Sequence, residues 1–402
     1  MTTLTLTAAT LEALKELPAK APGLKRLVVE KSRPPLGLEA LELIASAPYR
    51  LTHLVLPGQD LKGAKAGKLL STSPAFEQLE YLELGDNPLT DAFVKPFVTR
   101  AWKLKFLGLS YTKLGVDGLT QLAASKNFAA LENLNLSADG RRPLGATIAR
   151  LSDGNFPALR RLNALGVLVG TEGFAGILGS TGLPRLEEFQ ADGNLDIPAL
   201  VATLPETIAM PLRRLGWEGT AKDDLPWERL RWLGALEALR MMHVLKDRGA
   251  LSFLSRAPIA NLIGLELDAC DLGAEGAALL ARVPFTRLKR LSIWRSQIFA
   301  DGAVALAQAP WLGGLEGLRI DEGQVGAAGV ELLGKRAKLV VINTVLEKSW
   351  YQSKIHEWPD APAAEAPPPL PPVMPAAPVA ALVVQHATVS EPEPATAKEG
   401  AQ

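Results

Sequence analysis

The chain has 402 residues, of which 48% are hydrophobic and 21% are charged, so it has enough apolar material for a large buried core. Lys plus Arg total 43 and Asp plus Glu total 43, so no global field draws it to nucleic acid or to an anionic membrane surface. The single cysteine, Cys270, excludes an internal disulfide and favours a reducing compartment, so a cytoplasmic location is expected.

Residues 1–23 are predicted to form an amino-terminal cap. Leu11, Leu14 and Leu17 recur at helical spacing and indicate a helix that covers the first apolar face of the core. The segment has neither a basic start nor a sustained apolar stretch, so no signal peptide is expected. No part of the sequence approaches the roughly 20 apolar residues that cross a bilayer, and no membrane contact is expected.

Residues 24–338 contain a repeated pattern, Leu-x-x-Leu-x-(apolar), at successive spacings of 24 to 28 residues. This period lies within the window of about 20–29 residues that is typical of leucine-rich repeats. The twelve copies begin at Leu24, Leu51, Leu79, Leu104, Leu131, Leu159, Leu186, Leu212, Leu236, Leu262, Leu288 and Leu315.

Each copy predicts a short strand followed by a turn and a helix. In the third copy, Leu82 and Leu84 are two residues apart, so both point inward from one strand. Asn87 follows where the chain turns and its amide can satisfy backbone groups; Cys270 occupies the same slot in the tenth copy. Glycine turns with leucines at helical spacing come next, which places a helix on the convex side of most copies.

These units of about 26 residues with Gly-x-x-Gly turns resemble the ribonuclease-inhibitor-like class of leucine-rich repeats. The resemblance implies an α/β solenoid, a horseshoe with a parallel concave sheet, convex helices and a protein-binding concave face. It does not identify the partner, because members of this class bind different proteins. Between Leu159 and Leu262 the copies are irregular, as at Ala164 and Trp217, so we expect either altered curvature there or simple repacking that conserves volume.

The carboxy-terminal part divides into two segments. Residues 339–358 carry apolar side chains such as Val341 and Trp350 and are predicted to form a second cap. Residues 359–402 hold 11 of the 30 prolines and predict a disordered Pro/Ala-rich tail. Its Pro367 to Pro372 stretch favours a polyproline II spacer, with docking on an aromatic groove as the less favoured alternative.

No catalytic, cofactor-binding or metal-ligating set is predicted. The histidines are scattered, and no His, Cys, Asp or Glu cluster has zinc-like spacing. Cys270 paired with His243 is the best nucleophile candidate, but packing explains the cysteine better. The glycines around Gly170 and Gly173 recur in register in other copies, so they are turn residues and not a phosphate-binding loop.

Counting from the first leucine as zero, positions two, four and six face outward on the concave side. Three aromatic residues in the third and fourth copies predict a first partner-binding patch, because exposed rings often anchor partners. They are Tyr81, Phe106 and Tyr111. In the middle of the stack Arg161, Glu188 and Arg214 lie in one row and are expected to neutralise one another.

A second partner-binding patch is predicted near the carboxy-terminal end of the stack, because Trp and Arg are enriched in binding hot spots. Its candidate residues are Arg240, Arg290, Trp294, Arg295 and Arg319. The alternative is that Trp294 only stacks on a neighbouring guanidinium as a surface cation–π pair.

The leading hypothesis is a monomeric, non-catalytic scaffold or adaptor that binds another protein and no nucleic acid. The alternative is a regulator of a small GTPase, because the resembling class includes a Ran GTPase activator. In that case Arg290, Arg295 or Arg319 would supply charge to the transition state of GTP hydrolysis.

Overall fold

A computed structural model describes residues 3–342 apart from 8, 139–141, 193–194 and 338–339. The predicted disordered tail and most of the predicted carboxy-terminal cap lie outside these residues. Within the described part, no helix has the length and apolar character that crossing a bilayer requires.

Sixteen strands are found in the described part of the chain. They are β1 (Thr3–Leu6), β2 (Arg26–Val29), β3 (His53–Val55), β4 (Tyr81–Glu83), β5 (Phe106–Gly108), β6 (Asn133–Asn135), β7 (Arg142–Pro143), β8 (Arg161–Leu168), β9 (Glu188–Asp192), β10 (Leu195–Asp196), β11 (Arg214–Thr220), β12 (Ala238–Met242), β13 (Gly264–Glu266), β14 (Arg290–Ser292), β15 (Gly317–Ile320) and β16 (Val340–Ile342).

The described residues also form twelve α-helices. They are α1 (Leu11–Lys20), α2 (Gly37–Ser46), α3 (Gly63–Thr72), α4 (Thr90–Phe97), α5 (Val116–Ala124), α6 (Gly145–Ala149), α7 (Gly170–Leu178), α8 (Ile197–Thr203), α9 (Asp247–Arg256), α10 (Gly273–Arg282), α11 (Phe299–Ala307) and α12 (Glu322–Gly334). The left-handed backbone of Gly326 interrupts the last helix.

Each of the twelve predicted copies contains a strand. In every copy the strand begins two residues after the first leucine, from Leu24 and β2 to Leu315 and β15. The strands form one parallel sheet in the order β1-β2-β3-β4-β5-β6-β8-β9-β11-β12-β13-β14-β15-β16, and the short β7 and β10 pair beside β8 and β11. A parallel sheet built from consecutive strand–helix units is a leucine-rich-repeat solenoid.

The core lies between the sheet and the helices. Position three of each repeat is in register with its neighbours, as Leu54 is with Leu82 and Leu265 with Leu291. Position five forms a second buried row that includes Leu84. Removing one such leucine would cost about 2–5 kcal/mol, because the close-packed stack collapses only partly around a cavity. We call the opposite side of the sheet, with positions two and four, the concave face.

The asparagine slot fulfils its predicted role. Asn87 is buried, and its Oδ1 accepts hydrogen bonds from the backbone N–H groups of Gln59 and Leu61. Its Nδ2 donates to the carbonyl oxygens of Leu56, Leu84 and Gly85, at 2.8, 2.9 and 3.2 Å. One side chain therefore connects two repeats by satisfying the backbone groups of both.

Both ends of the sheet extend beyond the predicted repeats. The segment predicted as the amino-terminal cap contains the expected helix α1 and also β1, which pairs with β2. At the other end β16 pairs with β15. The sheet therefore starts before Leu24 and continues after the last predicted strand.

The irregular middle is filled by aromatic rings. In the repeat that starts at Leu212, two 3-10 helices, Trp227–Arg229 and Arg231–Ala235, stand where other repeats have an α-helix. The ring of Trp217 lies 5.5 Å from that of Phe174 and 6.2 Å from that of Trp227. Large rings thus occur beside repeats with small position-five residues, in agreement with repacking that conserves volume.

Candidate functional site

Three aromatic side chains form an aromatic patch at the amino-terminal part of the concave face: His53, Tyr81 and Phe106. They occupy position two of the neighbouring strands β3, β4 and β5. The ring centroids of Tyr81 and Phe106 are 4.2 Å apart with planes 5° from parallel, and those of His53 and Tyr81 are 5.5 Å apart. Tyr111, predicted as a member, lies three residues after β5 and is 43% exposed.

The stacking of Tyr81 and Phe106 follows from their predicted placement on adjacent strands. His53 was not predicted as a member, although its place in the same row was the signal that could have identified it. Burial raises the pKa of Tyr81 to about 12, with a smaller contribution from Glu83. Burial and then Arg26 lower the pKa of His53. Both rings are therefore uncharged at neutral pH, and the patch presents an apolar surface.

The charges in the middle of the concave face pair with one another, as predicted. Glu188 Oε2 lies 3.5 Å from Arg214 Nη1 and 3.8 Å from Arg161 Nε. Burial raises the pKa of Glu188, and the two arginines oppose this effect, Arg214 more strongly. This row has its charges satisfied internally and offers little to a partner.

Position four of β6, β8 and β9 carries three amide side chains, Asn135, Asn163 and Gln190. Asn135 Oδ1 accepts a hydrogen bond from the N–H of Ser137, and Asn163 Oδ1 accepts one from the N–H of Leu165. Gln190 is only 1% exposed, and neither polar atom of its side chain has a hydrogen-bond partner within the described residues. Gln190 is therefore not accessible to a ligand, and the Oδ1 atoms of the two asparagines already have backbone partners.

A charged cluster lies further along the same face and consists of Arg240, Glu266, Asp268 and Arg319. Asp268 Oδ2 accepts a hydrogen bond from Arg319 Nη1 at 2.9 Å, and Oδ1 accepts from the backbone N–H of Trp294 at 3.0 Å. Glu266 Oε2 is 3.9 Å from Arg240 Nε. The four side chains are between 3% and 17% exposed, so two acids and two bases are buried together.

Arg240 is not exposed as its outward position suggested, so its role as a partner contact stays a prediction without support from its burial. The residue does lie on the concave face, but it is only 9% exposed and its guanidinium pairs with Glu266. Gly264 and Gly317, at position two of β13 and β15, are buried as well. Neighbouring strands are only about 4.8 Å apart, so side chains of one strand reach over the next and outward direction does not ensure exposure.

Glu266 has the most unusual environment of the cluster. Burial raises its pKa to about 8, and the nearby carboxylate of Asp268 adds to the shift, while Arg240 and Arg319 oppose it. The neutral acid is therefore favoured at pH 7. An acid with a strongly shifted pKa often has a functional role, but buried ion-pair networks shift pKa values in the same way. The raised pKa of Glu266 therefore does not by itself assign it a role in binding.

Trp294 is half-buried and lies two residues after the end of β14. The guanidinium carbons of Arg295 and Arg319 are 4.4 and 4.6 Å from its ring centroid. The predicted cation–π contact is therefore present, with two arginines and not one. Arg290 begins the same strand and is half-buried. The structure brings Trp294, Arg295 and Arg319 together, and we call these three residues the tryptophan patch.

The two patches are separate sites. Between β5 and β14 there are seven steps along the sheet, or roughly 34 Å at about 4.8 Å per step. A small ligand therefore cannot touch both patches. Only a macromolecule or another extended ligand spans them.

The structure gives no support to a nucleophilic role for Cys270. Its side chain is completely buried, and its Sγ lies 3.5 Å from the carbonyl oxygen of Met241. Burial raises the pKa of the thiol to about 12, whereas His243 is exposed. Within the described residues no group of three or more His, Cys, Asp or Glu is placed to hold a metal ion.

No protein-family model and no curated protein matches the chain. Solved structures do match at the level of fold. A chain from the Rad7 and Elc1 complex in yeast aligns over 82% of this chain and 78% of that chain, at 17% identity and a TM-score of 0.46. An internalin (inlF) from Listeria monocytogenes aligns over 84% and 85%, at 14% identity and a TM-score of 0.43.

A third match is a chain from the TLR13–ssRNA13 complex, which covers 79% of this chain and 54% of that one, at 16% identity and a TM-score of 0.39. At such identities the likeness concerns the fold alone. The repeats and the sheet themselves define the chain as a leucine-rich-repeat solenoid.

Proposed function

We propose that this chain is a non-catalytic scaffold or adaptor that binds another protein on its concave face. The observation that carries the proposal is the stack of His53, Tyr81 and Phe106 on neighbouring strands. Aromatic side chains supply large contact areas at low entropic cost and are enriched in binding hot spots. A stacked set on the side of the sheet away from the helices adds little to the core, so a role in binding accounts for it better.

The tryptophan patch is the second contact in this proposal. Asp268 accepts hydrogen bonds from the backbone N–H of Trp294 and from the guanidinium of Arg319, and that guanidinium lies against the Trp294 ring. The two side chains are therefore positioned before a partner arrives. Such preorganisation lowers the entropic cost of binding. The self-paired row around Glu188 separates the two patches and contributes little.

Three finer points belong to the same proposal. The repeat length, the Gly-x-x-Gly turns and the helices of most repeats support membership of the ribonuclease-inhibitor-like class. Buried, unpaired Cys270 supports a reducing compartment, and we propose the cytoplasm. The balanced charge supports a protein partner in preference to a nucleic acid.

The test is affinity capture of a partner from native lysate, followed by titration of purified variants against it. We expect Trp294→Ala to weaken binding about thirtyfold, which corresponds to about 2 kcal/mol, and Phe106→Ala to act similarly. Glu188→Gln is the matched control within the middle row, and it should change binding far less. Equal binding by all variants, each checked for folding, would exclude the concave face as the contact surface.

Regulation of a small GTPase remains the alternative. Arg319 is held by Asp268 and Arg295 lies over Trp294, so of these two only Arg295 is both exposed and outside an ion pair in the described part of the chain. The purified protein is added to small GTPases of the same organism, and the rate of GTP hydrolysis is measured. Acceleration that is lost in Arg295→Ala would replace the scaffold proposal.

A further inference from the structure

Large apolar side chains with high exposure occur in only two repeats of the described part of the chain. They are Tyr111, Val116, Phe299 and Val304. The first two belong to the repeat of Phe106, and the last two belong to the repeat of Trp294. Exposed apolar surface is therefore concentrated in the repeats that carry the two patches, which is typical of an interaction surface.

Phe299 occupies a backbone position that favours glycine. In five repeats the residue eleven positions after the first leucine has a positive φ of 52–71°: Thr90, Gly170, Gly273, Phe299 and Gly326. Three of the five are glycines, because this left-handed region costs other residues roughly 1–2 kcal/mol. A bulky phenylalanine that is 52% exposed gains little from packing in return.

The turn that carries Phe299 is well fixed. The backbone N–H of Gln297 donates to Gln324 Oε1 at 2.7 Å, and Gln297 Nε2 donates to Asp271 Oδ1 at 2.6 Å. Residues 295 and 299 are four residues apart, which limits their separation to about 14 Å. Arg295 and Phe299 are therefore held on one rim, between the concave face and the start of α11.

Arg295 gives this rim its charge. The residue is exposed, its guanidinium lies over Trp294, and no carboxylate of the described residues is within 4.0 Å of it. Asp301 is nearby in the first turn of α11, where it faces the positive end of the helix dipole. The rim thus combines one available cation with one exposed ring.

We infer that the partner surface continues from the tryptophan patch over this rim, and that Arg295 and Phe299 bind a protein segment with a carboxylate beside a large apolar side chain. The carboxylate pairs with the fork of Arg295, and the apolar side chain packs on Phe299. This inference rests on the proposed function, because it names the kind of partner segment that the second patch takes.

The test uses a random twelve-residue peptide library displayed on phage, selected on the purified protein. We expect the recovered peptides to combine Asp or Glu with a large apolar residue. Synthetic copies of these peptides should bind Phe299→Gly and Arg295→Gln at least tenfold more weakly than the wild type. Phe299→Gly introduces the residue that three other repeats carry at this position with the same left-handed backbone, so it should fold.

Thr90→Gly is the matched control, because it makes the same change at the same backbone position in another repeat, and it should leave peptide affinity unchanged. Peptides without acidic residues, or peptides that bind Phe299→Gly as tightly as the wild type, would overturn the inference. If Phe106→Ala and Trp294→Ala lose partner binding and Phe299→Gly does not, the proposed function is supported and the inference about the rim is refuted. If Phe299→Gly loses partner binding and the other two variants do not, the concave-face proposal is refuted and the inference about the rim is supported.

Discussion

Glu266 is expected to make the stability of the solenoid depend on pH. Its pKa is about 8 in the folded chain, against an ordinary value of 4.5, so the folded state holds the proton more tightly than the unfolded state does. The stabilisation is complete below about pH 4.5, and it is lost as the pH rises towards 8. At about 1.36 kcal/mol per pH unit, the interval from 4.5 to about 8 sets an upper limit of about 5 kcal/mol.

Glu266→Gln tests this reasoning, because glutamine keeps the shape of the neutral acid and cannot ionise. Asp268, Arg240 and Arg319 face the same position and remain unchanged in the variant. We expect the variant and the wild type to have similar stability at pH 5, and the variant to be more stable by several kcal/mol at pH 8.5. Urea unfolding followed by circular dichroism at pH 5, 7 and 8.5 measures the difference.

The control is Glu80→Gln, which removes an exposed carboxylate that pairs with Lys105 and should change stability by less than about 1 kcal/mol at each pH. A difference between wild type and Glu266→Gln that does not vary with pH would refute the reasoning. A wild type that gains stability over the variant as the pH rises would show that Arg240 and Arg319 outweigh burial and keep Glu266 charged.

Three further predictions concern the stack and the tail. Asn87→Ala should lower the free energy of unfolding by about 3 kcal/mol or more, because five backbone groups each lose a hydrogen bond in a buried position. Thr112→Ala in the same slot removes one bond and should cost about 1 kcal/mol; equal losses in urea unfolding would contradict this account. Cys270 should react slowly with a thiol reagent in the native protein and fully after denaturation, whereas rapid native labelling would show that the slot is accessible. Limited proteolysis should remove the segment after Pro359, and a resistant fragment of about 40 residues would contradict the predicted disorder.

The leucine pattern predicted the fold closely because it records which side chains must be buried. Leu82 and Leu84 could only point inward if their strand stacked on its neighbours, so the start of each strand followed from the first leucine. The strands β1 and β16 were not predicted, because a terminal strand has a neighbour on one side only. Its sequence can therefore depart further from the leucine pattern of the repeats. The 3-10 helices around Trp227 were not predicted either, because they depend on how rings fill space.

The candidate site was less predictable because alternation along a strand gives the direction of a side chain and not its depth. Arg240 and Glu266 face the concave side as expected, yet both are covered by their neighbours. Depth depends on residues one strand away. Gln190, for example, lies across Gly216, where an added Cβ would be 1.9 Å from its Oε1. Phe299 was missed for another reason, since its interest lies in a left-handed backbone that only coordinates reveal.

The interruption of the helix layer in the repeat that starts at Leu212 has a consequence for cooperativity. Repeats in a solenoid are coupled only through their neighbours, so the array unfolds as one unit only where every junction is strong. At this repeat the junction depends on the sheet and on the rings around Trp217, and we expect denaturant to divide the array there into two blocks. Phe106 lies in one block and Trp294 in the other. A partner that holds both residues would bridge the weak junction and make the two blocks unfold together.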